Sequence, residues 1–247
     1  MSDFNQILTA VKTVADSLHV KITIPSCNKE VIFRPLTTKQ QKDLVKSAAE
    51  KTLNPITFLN TVNEILTANA TTPVDLLVSD RNYVITILRA LTLSKIYHTK
   101  SATYDLSVLQ NNRLTSPVPI TRVVEENDFK IFCKIPSLKV DTQYNNSLLG
   151  LAGKRTDQKD LTETLGDLFI YEAMKYIERV ESTSLNINVV LDSLSFHQRY
   201  QLVEALPAII NNKIVDYITE IKDLDNILFK IGDQVVDVEI DQGFFTV

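Results

Sequence analysis

The chain is short of the residues most often used for cofactor chemistry: five glycines, three histidines and two cysteines among 247 residues. None of the glycines falls in a G-x-G-x-x-G or P-loop pattern, which argues against a backbone cradle for nucleotide phosphates. Cys27, Cys133, His19, His98 and His197 stand at no zinc-ligand spacing, so no metal and no cofactor are expected. The two cysteines read as small thiols in a reducing compartment. No apolar run approaches the length of a membrane span, and Met1-Ser2-Asp3-Phe4-Asn5 lacks the basic start of a signal peptide. The expectation is a chain with no membrane span that stays in the cytosol. Positive charge is also in short supply. Twenty-six Lys and Arg face thirty Asp and Glu, for a net charge of −4, which argues against a nucleic-acid partner held by charge neutralisation.

The remaining composition, 44% hydrophobic and 23% charged, is that of an ordinary globular protein. A chain of 27.9 kDa buries roughly 73% of its surface on folding and needs no covalent staple.

Periodicity supplies most of the fold. Phe4, Ile7, Leu8, Val11, Val14, Ala15 and Leu18 repeat at helical spacing opposite Gln6, Lys12 and Asp16, an amphipathic helix whose stripe packs on its own domain or on a partner. Val20–Ile24 and Val31–Phe33 read as strands joined by a turn at Asn28-Lys29. Arg34-Pro35 stops the second strand. Thr37-x-x-Gln40 is a capping box opening a helix to about Glu50. Further helices are expected over Pro55–Asn69 and over Asp80–Tyr97, the latter with Asp80 as N-cap. Residues 101–127 break up. Phe129–Ile135 reads as a strand, Asp157–Glu181 as a long helix, and Ser195–Ile221 as a helical stretch kinked or split by Pro207. Gln234–Ile240 alternates like a strand, and Phe244 and Phe245 form an apolar tail that docks on its own core or on a partner.

The expected class is therefore α+β and helix-dominated, with several amphipathic helices and small antiparallel hairpins or sheets near residues 20–33, 117–135 and 234–240. The division expected is 1–115 and 116–247, or one compact domain. Ile24-Pro25-Ser26 repeats as Ile135-Pro136-Ser137, and Gln41-Lys42-Asp43-Leu44 as Gln158-Lys159-Asp160-Leu161. These matches leave an internal duplication and chance both open.

No nucleophile elbow, zinc-protease helix or calcium loop occurs. His197 reads as a polar first-turn residue and His98 as a cation at a helix end. Glu125-Glu126 and Asp223/Asp225 read as solvated faces rather than glycosidase carboxylates. The chemistry in the sequence points to no enzyme.

The stretch Val31-Ile32-Phe33-Arg34-Pro35-Leu36-Thr37-Thr38-Lys39-Gln40-Gln41-Lys42-Asp43-Leu44 resembles the N-terminal part of the baseplate hub family of T-even-like contractile-tailed bacteriophages. Asp80-Arg81-Asn82-Tyr83 leading to Leu88-Arg89-Ala90 is similar as well. So are Tyr171–Ile177 and Leu206-Pro207 followed by Ile214–Ile218, so that the resemblance runs in order over residues 20–225. It implies either a structural hub subunit of the virion baseplate or a hub assembly factor absent from the finished particle. Both are non-enzymatic and assembled in the host cytoplasm. The partners implied are other hub and tail proteins, with self-association in a symmetric hub as a further option. A cytosolic enzyme with a scattered site is the reading from another class. Interface candidates are Phe4, Ile7 and Val11 on the first helix, Phe33 on a strand edge, Arg34, Arg81 and Arg89 in the family-like motifs, and Phe244 and Phe245 in the tail. The arginines read alternatively as intramolecular partners of acids such as Asp43.

Overall fold

The computed structural model describes residues 3–51, 54–99, 102–109, 119–152, 168–231 and 234–246. Helix predominates over strand, and every described strand pairs antiparallel. The chain forms two compact units: residues 1–76, 80–117 and 226–247 make the first, and 77–79 with 118–225 the second.

The first unit begins with helix α1 (Asp3–Ser17), followed by hairpin β1 (Val20–Ile24) and β2 (Lys29–Phe33). Asn28 closes the hairpin with φ 51, a left-handed conformation that Asn tolerates better than most residues. Arg34 and Pro35 turn the chain into α2 (Thr38–Ala49), opened by the expected box: Gln40 N–H donates to the Thr37 hydroxyl, and Thr37 N–H to the Gln40 side chain. Then come α3 (Pro55–Asn69) and α4 (Arg81–Thr92), the three helices packing in sequence. Ile22, Ile24, Phe33, Leu44, Val62, Leu66, Tyr83 and Leu88 form the core between them.

Helix α4 ends at Thr92, short of the expected Tyr97. The Ser94 hydroxyl accepts from the Ile96 N–H, and Ile96–His98 becomes strand β3, paired with β4 (Thr103–Asp105). Asp80 does not cap α4 either. Its carboxylate instead accepts from the backbone N–H and the hydroxyl of Ser26, at 3.0 and 2.7 Å.

In the second unit a four-stranded meander runs β5 (Thr121–Glu126), β6 (Phe129–Lys134), β7 (Ile177–Ser182) and β8 (Ile187–Val190). Asn127 and Asn186, at φ 53 and 49, serve its two outer turns as Asn28 serves the first hairpin. Between β6 and β7 lie α5 (Leu138–Ala152) and α6, residues 168–176. The helix expected over Asp157–Glu181 thus stops before Ile177, because Val180 pairs with Ile131 in the sheet. Its early part lies outside the described residues, as does the Gln158–Leu161 repeat. Pro207 separates α7 (Phe196–Glu204) from α8 (Ala208–Asp225). Helix α8 packs on β5, with Ile214, Tyr217 and Ile221 buried. Its Glu220 takes a two-pronged bond from Arg122 at 2.9 and 2.6 Å.

The last hairpin, β9 (Leu228–Ile231) with β10 (Gln234–Asp237), belongs to the first unit, as do Phe244 and Phe245 in a short 3-10 turn. The expected strand over Gln234–Ile240 is shorter and gains a partner, β9, that alternation alone did not reveal.

Candidate partner interface

Helix α1 carries the broadest exposed apolar stripe among the described residues. Phe4, Ile7, Leu8, Val11, Val14 and Leu18 are between 41% and 69% exposed. Three hydroxyls on this helix bond back to its own carbonyls: Thr9 to Asn5, Thr13 to Thr9 and Ser17 to Val14. Residues Phe4, Ile7 and Val11, singled out from the sequence, stand in this stripe.

The other sequence candidates divide differently. Arg34 is exposed at the corner, while Phe33 is wholly buried. Arg81 is buried and donates to the Asn63 side chain at 3.4 Å. Phe244 and Phe245 fill the first unit's core, their rings edge to face at 5.1 Å. The tail therefore docks on its own unit: Gln41 donates to the Phe245 carbonyl, and the Arg89 Nε to that of Phe244.

Arg89 is 1% exposed, and its hydrogen-bond acceptors among the described residues are carbonyls rather than the acid read as an alternative from the sequence. It donates to the carbonyls of Phe244 at 2.9 Å, Ile96 at 3.1 Å and Ser94. The rings of Phe244 and Tyr97 flank the guanidinium at 5.4 and 5.7 Å. Burial lowers its pKa. The Tyr97 hydroxyl donates to Asp241, and burial together with that carboxylate pushes the phenol up to about 12. A guanidinium fork is the one side chain able to serve three carbonyls at once while stacking on aromatic faces.

A second exposed surface is the outer face of the meander. Register places Val123, Phe132, Arg179 and Val190 in one row across four strands. Val123 and Val190 are exposed, and the Arg179 guanidinium lies 4.0 Å from the Phe132 ring centroid. The neighbouring row, Glu125, Lys130, Glu181 and Asn188, is polar, with a 3.0 Å ion pair between Lys130 and Glu125.

Buried charge in the second unit centres on Lys175. The Lys175 ammonium on α6 donates to Asp141 at 2.8 Å and to Asn145 at 2.9 Å, both on α5, and pairs with Glu172 at 2.8 Å. Burial works against the Lys175 charge, yet the attraction of Glu172 and Asp141 holds its pKa above the usual value. Burial likewise opposes the Glu172 charge, but Lys175 and Lys222 hold that carboxyl below its usual range. All three ammonium donors have acceptors, the condition under which a buried lysine stays charged.

Sequence reasoning missed Asp141, Asn145 and Lys175, because Lys175 sits on a different helix, 34 and 30 positions along the chain from the other two. It also missed Asp128, whose carboxylate accepts from the hydroxyls of Ser182 and Ser184 and from the Ser184 N–H at 2.9 Å.

His98 and His197 are exposed, and His98 bonds Thr103 at 2.8 Å. Cys27 is exposed, and burial pushes the Cys133 thiol up to about 12. Among the described residues, no three His, Cys, Asp or Glu side chains converge to hold a metal ion, and no helix is long and apolar enough to cross a membrane. What the two surfaces offer is apolar area rimmed by polar groups, the chemistry of protein contact.

The family model described as T4 bacteriophage base plate protein matches residues 17–228. No curated protein and no solved structure matches the chain.

Proposed function

Because this chain belongs to the family of T4 bacteriophage base plate proteins, we propose that it serves as a non-enzymatic structural subunit of the tail baseplate hub. Family membership implies contacts with other base plate proteins and a place in the base plate of the virion tail. The hub assignment draws on the ordered resemblance that starts at Val31–Leu44. The observation that carries a structural role is the α1 stripe: five large apolar side chains stand in water on this helix, and Leu18 continues the stripe just past its end. Such a patch is stable in a finished particle only when a neighbour covers it.

Under this reading the partners are other hub and tail proteins, met during assembly in the host cytoplasm. Quantitative mass spectrometry of purified virions, counted against a tail protein of known copy number, tests it. A small fixed stoichiometry supports the built-in subunit. Absence from particles whose assembly fails without the gene overturns it in favour of the transient assembly factor.

A further inference from the structure

The residues of α1 are a poor recipe for a helix standing alone. Ile7, Thr9, Val11, Thr13 and Val14 are β-branched and lose side-chain freedom in a helix, and Asn5 and Ser17 add little. A 15-residue helix of such composition is marginal in water unless its apolar face is packed. The exposed stripe follows a narrower rule than general amphipathicity. Phe4, Ile7, Val11, Val14 and Leu18 are spaced by three, four, three and four residues, the a and d positions of a coiled-coil seam. In that register the flanking e and g positions between Phe4 and Leu18 are Leu8, Ala10, Ala15 and Ser17. None is charged.

From this arrangement we propose that α1 is a self-association helix, which packs its a/d seam against the same seam of a second copy of this chain. Charged flanks are what select a different partner or repel an identical one. Here neither device is present, and Lys12 lies at a b position away from the seam. The flanking Leu8 and Ala10 are exposed and widen the contact. The six exposed side chains offer about 600 Å² per copy, so two copies bury about 1,200 Å², the lower end of a stable specific interface. The inference is independent of the hub assignment.

Sedimentation of the full-length chain over a concentration series tests it, with two paired variants. The expected result for the unsubstituted chain is a species at a multiple of 27.9 kDa that dissociates on dilution. Ile7→Glu with Val14→Glu, both in the seam, should abolish association and leave a monomer whose melting temperature is unchanged at low concentration. Thr9→Glu with Thr13→Glu adds the same charge at f and c positions and should leave association intact. A chain that stays monomeric at its highest soluble concentration overturns the proposal, and assigns the stripe to a different base plate protein. Association that survives the seam variant also overturns it, as does equal loss in both variants.

Discussion

Arg89 shows how one side chain can hold distant parts of a unit together. Its three carbonyl acceptors come from the link between α4 and β3, from β3 itself and from the tail. Arg89→Lys keeps the charge but cannot reach three acceptors in a fork, and should lower stability by about 2 kcal/mol. Arg89→Ala also opens a cavity and strands all three carbonyls, and should cost about 4 kcal/mol. Urea denaturation of the two variants checks the order and the sizes. Asp128 makes a pH-dependent contribution instead. Hydrogen bonds from Ser182 and Ser184 hold its carboxyl at about 2. A folded value below the unfolded one stabilises at every pH above roughly 3.9. That contribution is lost as pH falls toward 2. The melting temperatures of the native chain and of Asp128→Asn should therefore differ at pH 6 and converge as pH falls toward 2; a constant gap would count against the assignment.

At the scale of elements, the first proline corner is fixed by a residue that no local pattern identifies. Asn69, at the end of α3, is buried and donates to the carbonyls of Arg34 and Pro35 while accepting from the Gln40 side chain at 2.7 Å. Thr37→Ala removes an exposed cap and should cost about 1 kcal/mol. Asn69→Ala leaves buried groups unmet and should cost about 3 kcal/mol. Thermal unfolding of the two proteins would rank them.

The contrast marks where sequence reading succeeds. The Thr37 box, the Pro55 start, the Asn28 turn and the break at Pro207 are local, and local chemistry settles them. The end of α4 and the start of β7 are not. Ile96 and Tyr97, like Ile177 and Val180, fit a helical stripe equally well, and cross-strand pairing overrides it. Helix α5 was hidden by polarity: Asn145 and Asp141 face Lys175 where a leucine would have shown a stripe. The two Ile-Pro-Ser tripeptides likewise differ in setting. The first enters a hairpin turn, the second runs into α5. The shared layout lies instead between Phe33–Thr37 and Lys134–Ser137, each leading from a hairpin through a proline to a helix. Among the interface candidates, Phe4, Ile7, Val11 and Arg34 are exposed. Phe33, Arg81, Arg89, Phe244 and Phe245 are buried in their own unit, a distinction that needs the fold because large apolar or forked side chains suit cores and interfaces alike.

On the scale of the whole molecule, the first unit is discontinuous, and residues 226–247 return to it after the second. Gln41 and Phe245 meet across 204 positions of chain. Phe244→Ala should therefore destabilise the first unit by about 4 kcal/mol while leaving the fold of the second intact. Amide exchange would report this as faster exchange in α2 and α4 with β5–β7 unchanged.

The same return of the chain orders events during synthesis. Translation adds roughly 5–20 residues per second, and the second unit is completed in sequence before Phe244 and Phe245 leave the ribosome. The first unit's core thus waits, with Arg89 lacking one acceptor and the space beside Tyr97 empty, until the most distant residues arrive. A prematurely terminated polypeptide retains that defect. Maturation of the first unit therefore reports that translation has passed residue 245, so truncated products enter assembly with an unfinished body that proteases can attack.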